Sequence, residues 1–169
     1  MQSRNVDSET HQTMITTRQA TANDADQMSE ILSPILASWK SDRPSDAGHI
    51  LRYYIEHPDS IKCTIAEDET GKVFGFQSLI IATDNKPYDV PNGWGIIGTY
   101  VRLDAARCGI GKHLFASSLE AAQQADLKKI DATIGQTNET GLAYYEAMRF
   151  RTYKTSDTSI SKIFELDQS

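Results

Sequence analysis

The sequence predicts a single α/β domain (α+β mixed) built on a mixed sheet, and three observations support this. Apolar residues alternate with polar ones in several short segments, as half-buried strands require, while other segments keep helical spacing. Helical segments separate only some of the strands, so a regular doubly wound sheet is disfavoured. The length, 169 residues, suits one core of ordinary size.

Residues 1–13 are polar and without periodicity, and read as a disordered leader before a domain over 14–169. Met14–Arg18 opens that domain as a strand. Thr21-Ala22-Asn23-Asp24 supplies helix-capping residues before Met28, Ile31, Leu32, Ile35 and Leu36, with Pro34 expected to kink or break the helix. After a polar turn at 42–48, a second helical pattern runs through Ile50, Leu51, Tyr54 and Ile55 and ends before Pro58. Ile61, Cys63 and Ile65 then alternate as a strand, and Glu69-Thr70-Gly71 turns the chain into a longer strand over 72–82. Gly75 inside it marks a bulge or a close approach.

The segment 83–93 holds two prolines and an Asn-Gly pair and reads as a substrate-facing loop. Gly95–Val101 is a strand, and the helix from Ile110 to about Ala125 buries Ile110, Leu114, Phe115, Leu119 and Ala122. Ile130, Ala132 and Ile134 form another alternating strand, Asn138 caps a helix through Leu142, Tyr145 and Met148, and two terminal strands follow.

Composition narrows the functional classes. A net charge of −6 argues against a general nucleic-acid binder. The longest apolar runs are too short to span a bilayer, and no secretory signal pattern opens the chain. The cysteines Cys63 and Cys108 fit no disulfide framework, and the scattered histidines no metal spacing. A reducing, cytoplasmic setting without a metal is the expectation.

The chemistry concentrates in Gly98–Lys112, where a strand passes through a loop into a helix at Gly109-Ile110-Gly111. Unpaired N–H groups and the helix dipole make such an entry an anion site, which predicts a phosphate-bearing ligand. A P-loop would need glycine at Ala106 and Ser or Thr at His113, and a dinucleotide fingerprint would need glycine at Leu114, so both fail.

Three local patterns here resemble the GCN5-related N-acetyltransferases. Gly109-Ile110-Gly111 resembles the end of that family's R/Q-x-x-G-x-G/A loop, Asn138 and Tyr145 its N-x6-Y spacing, and Tyr145–Phe150 its Y-E-x-(L/M)-G-F ending with Arg149 in the glycine position. Arg18-x-Ala20 followed by Asp24 is similar to its opening strand and helix. The usual Arg or Gln falls at Ala106, so the cradle rests on backbone more than on Arg107.

The resemblance implies a sheet flanked by about four helices and splayed between strands 4 and 5, with acetyl-CoA as acyl donor. It implies that Arg107, Cys108, Gly109, Ile110, Gly111 and Lys112 hold the pyrophosphate. Tyr100, Val101, Arg102 and Leu103, with Asn138, would meet the pantetheine arm, and Tyr145 would protonate the leaving thiolate. Tyr144 competes for that last role.

No Glu or Asp lies on Gly95–Val101 to serve as base, which leaves His49, Glu56, Asp84 and Asp89 as candidates or a water chain. The expected acceptor is a small-molecule primary amine, with no nucleic acid or membrane partner and with a homodimer left open. The alternatives are an acyl-CoA-binding sensor on the same fold, or an acetyltransferase of protein N-termini or lysines.

Overall fold

The computed structural model describes residues 14–84, 89–105 and 108–166. Strand β1 (Thr16–Gln19) leads through a 3-10 turn (Ala22–Asp24) into helix α1 (Ala25–Ser38). A short helix α2 (Ala47–Ile50) continues as a wide π turn (Leu51–Ile55), in which Glu56 N donates to Leu51 O at 2.7 Å. Strands β2 (Ser60–Glu67), β3 (Val73–Ile81) and β4 (Gly95–Val101) follow, then α3 (Ile110–Gln124), β5 (Lys129–Gly135), α4 (Glu139–Ala147), β6 (Arg151–Thr155) and β7 (Ser159–Glu165).

These strands form one sheet in the order β1-β2-β3-β4-β5-β7-β6. Every neighbouring pair is antiparallel except β4–β5. The mixed, mostly antiparallel sheet expected from the sequence is therefore present, and four helices flank it.

Local chemistry explains the elements. The carboxylate of Asp24 accepts from the Thr21 N–H at 2.8 Å and fixes the chain entering α1. Met28, Ile31, Leu32, Ile35 and Leu36 then pack with Ile50, Tyr54, Cys63, Ile65 and Phe76 on one side of the sheet. Pro34 does not end α1: the helix runs on to Ser38, and Pro34 sits on the exposed face, where its missing N–H leaves a carbonyl open to water.

On the opposite face, Phe115 and Ala122 of α3 and Tyr145 of α4 pack with Leu79, Ile97, Ile130, Ala132 and Ile134. Leu119 is only partly buried there, and Ser118 takes a fully buried position on α3. At Gly75 both expectations are met: a Cβ would lie 2.9 Å from Tyr100 O, and the β2–β3 register shifts beside it.

Two positions near the second core stand out. Lys162 is buried, and its ammonium donates to Glu146 Oε2 at 3.0 Å and to Thr152 Oγ1 at 2.9 Å, tying β7 to α4 and β6. Arg149, just past α4, has φ 74°, the left-handed backbone for which glycine is best suited.

Candidate active site

The parallel pair β4–β5 is in register only at Gly95↔Ile130 and Ile96↔Asp131. Beyond those rungs the two strands separate and leave a slot in the middle of the sheet. The hydrogen bonds to β3 decide which amides line it. Ala82 N donates to Trp94 O and Arg102 N to Phe74 O, each at 2.8 Å, and the β3–β4 register between them is unbroken. By strand alternation, the even-numbered residues from Ile96 to Arg102 spend their backbone groups on β3. Ile97, Thr99 and Val101 turn theirs to the slot. An extended polyamide can pair there as an added strand would.

One end of the slot meets the start of α3. Gly109 caps that helix with φ 80°, a left-handed conformation that opens the turn without strain for glycine alone. The N–H groups of the first turn, Ile110, Gly111 and Lys112, lack intrahelical acceptors and point outward, as an anion requires. Lys112 and Cys108 are exposed at this entry, and Leu103 is exposed as well, whereas the Ile110 side chain is buried beneath the helix. Arg102 forms an ion pair with Asp104 at 2.9 Å. Arg107 and Ala106 lie outside the described residues.

Gly111 has a second constraint. A Cβ there would fall 2.5 Å from Cε1 of Tyr144, whose ring lies against the helix while its hydroxyl donates to Gly111 O at 2.7 Å. The close approach at this glycine is therefore made by a tyrosine of α4.

Tyr144 accepts in turn from Gln77 Nε2 at 3.1 Å, and the same amide donates to Thr99 Oγ1 at 2.8 Å. Thr99 Oγ1 lies 2.7 Å from the hydroxyl of Tyr145. A buried polar chain thus runs from the α3 entry to Tyr145, under the slot. Burial pushes the Tyr144 phenol up to about 12, and pushes Tyr145 further still, so both hold their protons. Asn138 caps α4 by accepting from Gly141 N at 3.0 Å, which leaves its amide donors for another partner.

On the face of β4 away from α3 and α4 lies an open cavity of about 1170 Å³. Ile96, Gly98 and Tyr100 form part of its floor, and Arg43, His49 and Asp131 part of its walls. Among the base candidates read from sequence, His49 and Asp89 line it, whereas Glu56 and Asp84 do not. Of the loop 83–93, residues 85–88 lie outside the described residues.

Asp131 is the functional candidate that the sequence did not reveal. It is 1% exposed, its carboxylate accepts from Tyr153 Oη at 2.5 Å and from Thr133 Oγ1 at 2.9 Å, and burial raises it above the ordinary carboxylate range. It stands on the last paired rung before the slot opens. Among the described residues no cluster of three His, Cys, Asp or Glu side chains is placed to hold a metal, and no helix is long and apolar enough to cross a membrane.

Solved structures share this architecture. The assigned acetyltransferase YncA of Salmonella typhimurium, solved with acetyl-CoA, superposes with a TM-score of 0.75 at 18% identity, over 92% of this chain and 95% of that one. The phosphinothricin acetyltransferase of Sinorhizobium meliloti, also with acetyl-CoA, gives 0.72 at 20% identity, over 90% and 88%. The PaiA N-acetyltransferase of Thermoplasma acidophilum, with coenzyme A, gives 0.70 at 14% identity, over 90% and 99%. No curated protein matches the chain in sequence. The sequence profile of the acetyltransferase (GNAT) family does match, over residues 25–150, and that span includes the splayed strands, the glycine entry of α3 and Tyr145. By this match the chain belongs to the acetyltransferase (GNAT) family and is an acyltransferase.

Proposed function

We propose that this protein transfers the acetyl group of acetyl-CoA to the primary amine of a small molecule by direct attack on the thioester. The observation that carries the reading is the large open cavity on the β4 face opposite Tyr145, meeting the slot where β4 and β5 part. In this reading the pyrophosphate rests on the N–H groups of Gly109–Lys112, with Lys112 adding charge. The pantetheine arm lies in the slot against the backbone of Thr99 and Val101, with Asn138 alongside. The thioester then comes to the base of the slot, with the cavity on one side and Tyr145 on the other.

The chemistry follows from that placement. The neutral amine enters from the cavity and its lone pair attacks the carbonyl carbon. A slot-facing backbone N–H, that of Val101 or its neighbour Thr99, stabilises the oxyanion. Collapse breaks the C–S bond, the phenol of Tyr145 gives its proton to the thiolate, and the nitrogen returns its extra proton to the phenolate. Burial keeps the phenol protonated until a negatively charged sulfur forms beside it. An acceptor of small-molecule size also agrees with the Sinorhizobium structure, which is named for phosphinothricin.

The test is a thiol-release assay with acetyl-CoA and a panel of amines, run beside direct measurement of acetyl-CoA binding. Binding with turnover on small amines is the expected result. Tight binding with no thiol release from any amine would instead support a sensor.

A further inference from the structure

Asp131 and Arg43 face the acceptor cavity with opposite signs, and neither has an ion pair among the described residues. Asp131 has its carboxylate bonded only to the hydroxyls of Tyr153 and Thr133, and the nearby Lys154 is paired with Asp89. Burying a carboxylate without a compensating cation is unfavourable, and a cationic ligand relieves it. Arg43 directs its guanidinium at phenol oxygens alone, 3.0 Å from Tyr54 Oη and 3.5 Å from Tyr100 Oη. A guanidinium held by neutral oxygens keeps its capacity for a bidentate anion.

Their separation follows from the strand. Asp131 is paired with Ile96. The Tyr100 ring folds back along β4 so that its hydroxyl lies 3.3 Å from where a Cβ on Gly98 would stand, and that hydroxyl places Arg43. Gly98 is two residues beyond Ile96, about 7 Å along a strand, and β5 is offset by about 4.8 Å, so the backbone positions beneath the two charges are neighbours on one face of the sheet. A small ligand that carries an ammonium and a carboxylate a few bonds apart matches the two signs placed on that face.

The geometry points to a free amino acid as the acceptor, its ammonium at Asp131 and its carboxylate at Arg43. This rests on the acetyltransferase reading above and adds the substrate class and the proton acceptor. Asp131 takes one proton from the ammonium, and the freed lone pair forms the amide bond as the C–S bond breaks. The thiolate takes the proton of Tyr145, the new amide nitrogen gives its second proton to the Tyr145 phenolate and so restores the phenol, and solvent in the cavity afterwards removes the proton from Asp131. Arg52 and Asp46 line the same cavity and add one charge of each sign, while burial lowers the His49 imidazole and keeps it neutral.

The experiment uses the purified full chain with acetyl-CoA and three matched sets of acceptors: L-amino acids, their carboxamides, and the amines left when the carboxylate is removed. The wild type should favour an amino acid over its amide and amine by about tenfold or more in kcat/KM. Arg43→Gln should bring that ratio close to one, chiefly by raising KM for the amino acid, and Arg43→Lys should restore part of it. Asp131→Asn should lower kcat/KM by about a hundredfold while acetyl-CoA still binds; if that variant does not fold, the Arg43 ratio decides alone. Turnover confined to polyamines or peptides, or a ratio that Arg43→Gln does not move, overturns the amino-acid assignment and leaves the acetyltransferase reading standing. Acetyl-CoA binding without turnover on any amine, peptides included, overturns both.

Discussion

The hydroxyl of Tyr145 lies 2.7 Å from Oγ1 of Thr99, a residue whose backbone faces the slot between β4 and β5. The phenol is therefore held at the slot by the strand that binds the donor in the proposed complex. Removing the hydroxyl deletes the proton donor and leaves the ring in its packing against Phe150, 5.1 Å between centroids. Tyr145→Phe should lower kcat by about a hundredfold, with acetyl-CoA affinity little changed by calorimetry. Full turnover in that variant would take the acid role away from Tyr145.

Tyr144 occupies the space beside Gly111, so this glycine is held by packing as well as by any phosphate. Gly111→Ala should destabilise the fold by about 1–3 kcal/mol through overpacking. Tyr144→Ala vacates that space, so the double variant should lose less than the two single losses added together. Urea melts analysed as a double-mutant cycle measure this, and strict additivity would contradict the contact.

Arg149 adopts a left-handed backbone with φ 74° and is exposed. Arg149→Gly relieves that conformation and should raise stability by about 1 kcal/mol. The corresponding rise in melting temperature is about 2–4 °C for a chain of this size. A fall in thermal melting would mean that the arginine side chain contributes more than its backbone costs.

Asp24 is buried beneath α1. Burial alone would raise its carboxyl, but the guanidinium of Arg18, with Nη2 2.9 Å from Oδ1, and the Thr21 N–H outweigh this and hold it below its ordinary value. A group depressed in the folded state contributes stability that is complete above its unfolded pKa, about 3.9, and is lost as pH falls through the folded value. At pH 7, Asp24→Asn should cost about 1–3 kcal/mol in denaturant melts. Its deficit against the wild type should shrink below about pH 4. A pH-independent deficit would show that the carboxylate charge contributes nothing.

Much of the fold is legible in the sequence because its signals are local. The alternation at Ile61, Cys63 and Ile65, the helical spacing in α3, and the cap at Asn138 each depend on a few neighbouring residues. Pro34 shows the limit of such reading. A proline need not end a helix where the carbonyl it leaves unpaired can reach water, and only packing decides that this one faces water.

The residues of the proposed donor site form local patterns for the same reason. Gly109-Ile110-Gly111 and the Asn138–Tyr145 spacing each lie within one element or one junction, so a linear pattern records them. The acceptor side was not. Asp131 and Thr133 alternate with the apolar Ile130, Ala132 and Ile134, which along the chain is the pattern of a strand with one solvated face.

The sheet order places β5 beside β4 in the centre, so that face becomes a cavity wall. It brings Asp131 against Ile96 and into one cavity with Arg43, residues far apart in sequence and in no local pattern. The amino-acid sequence by itself determined the elements, the glycine entry of α3 and the family resemblance. Tertiary structure decided which charges face the cavity, because strand pairing over long sequence separations sets that juxtaposition and no short-range periodicity encodes it.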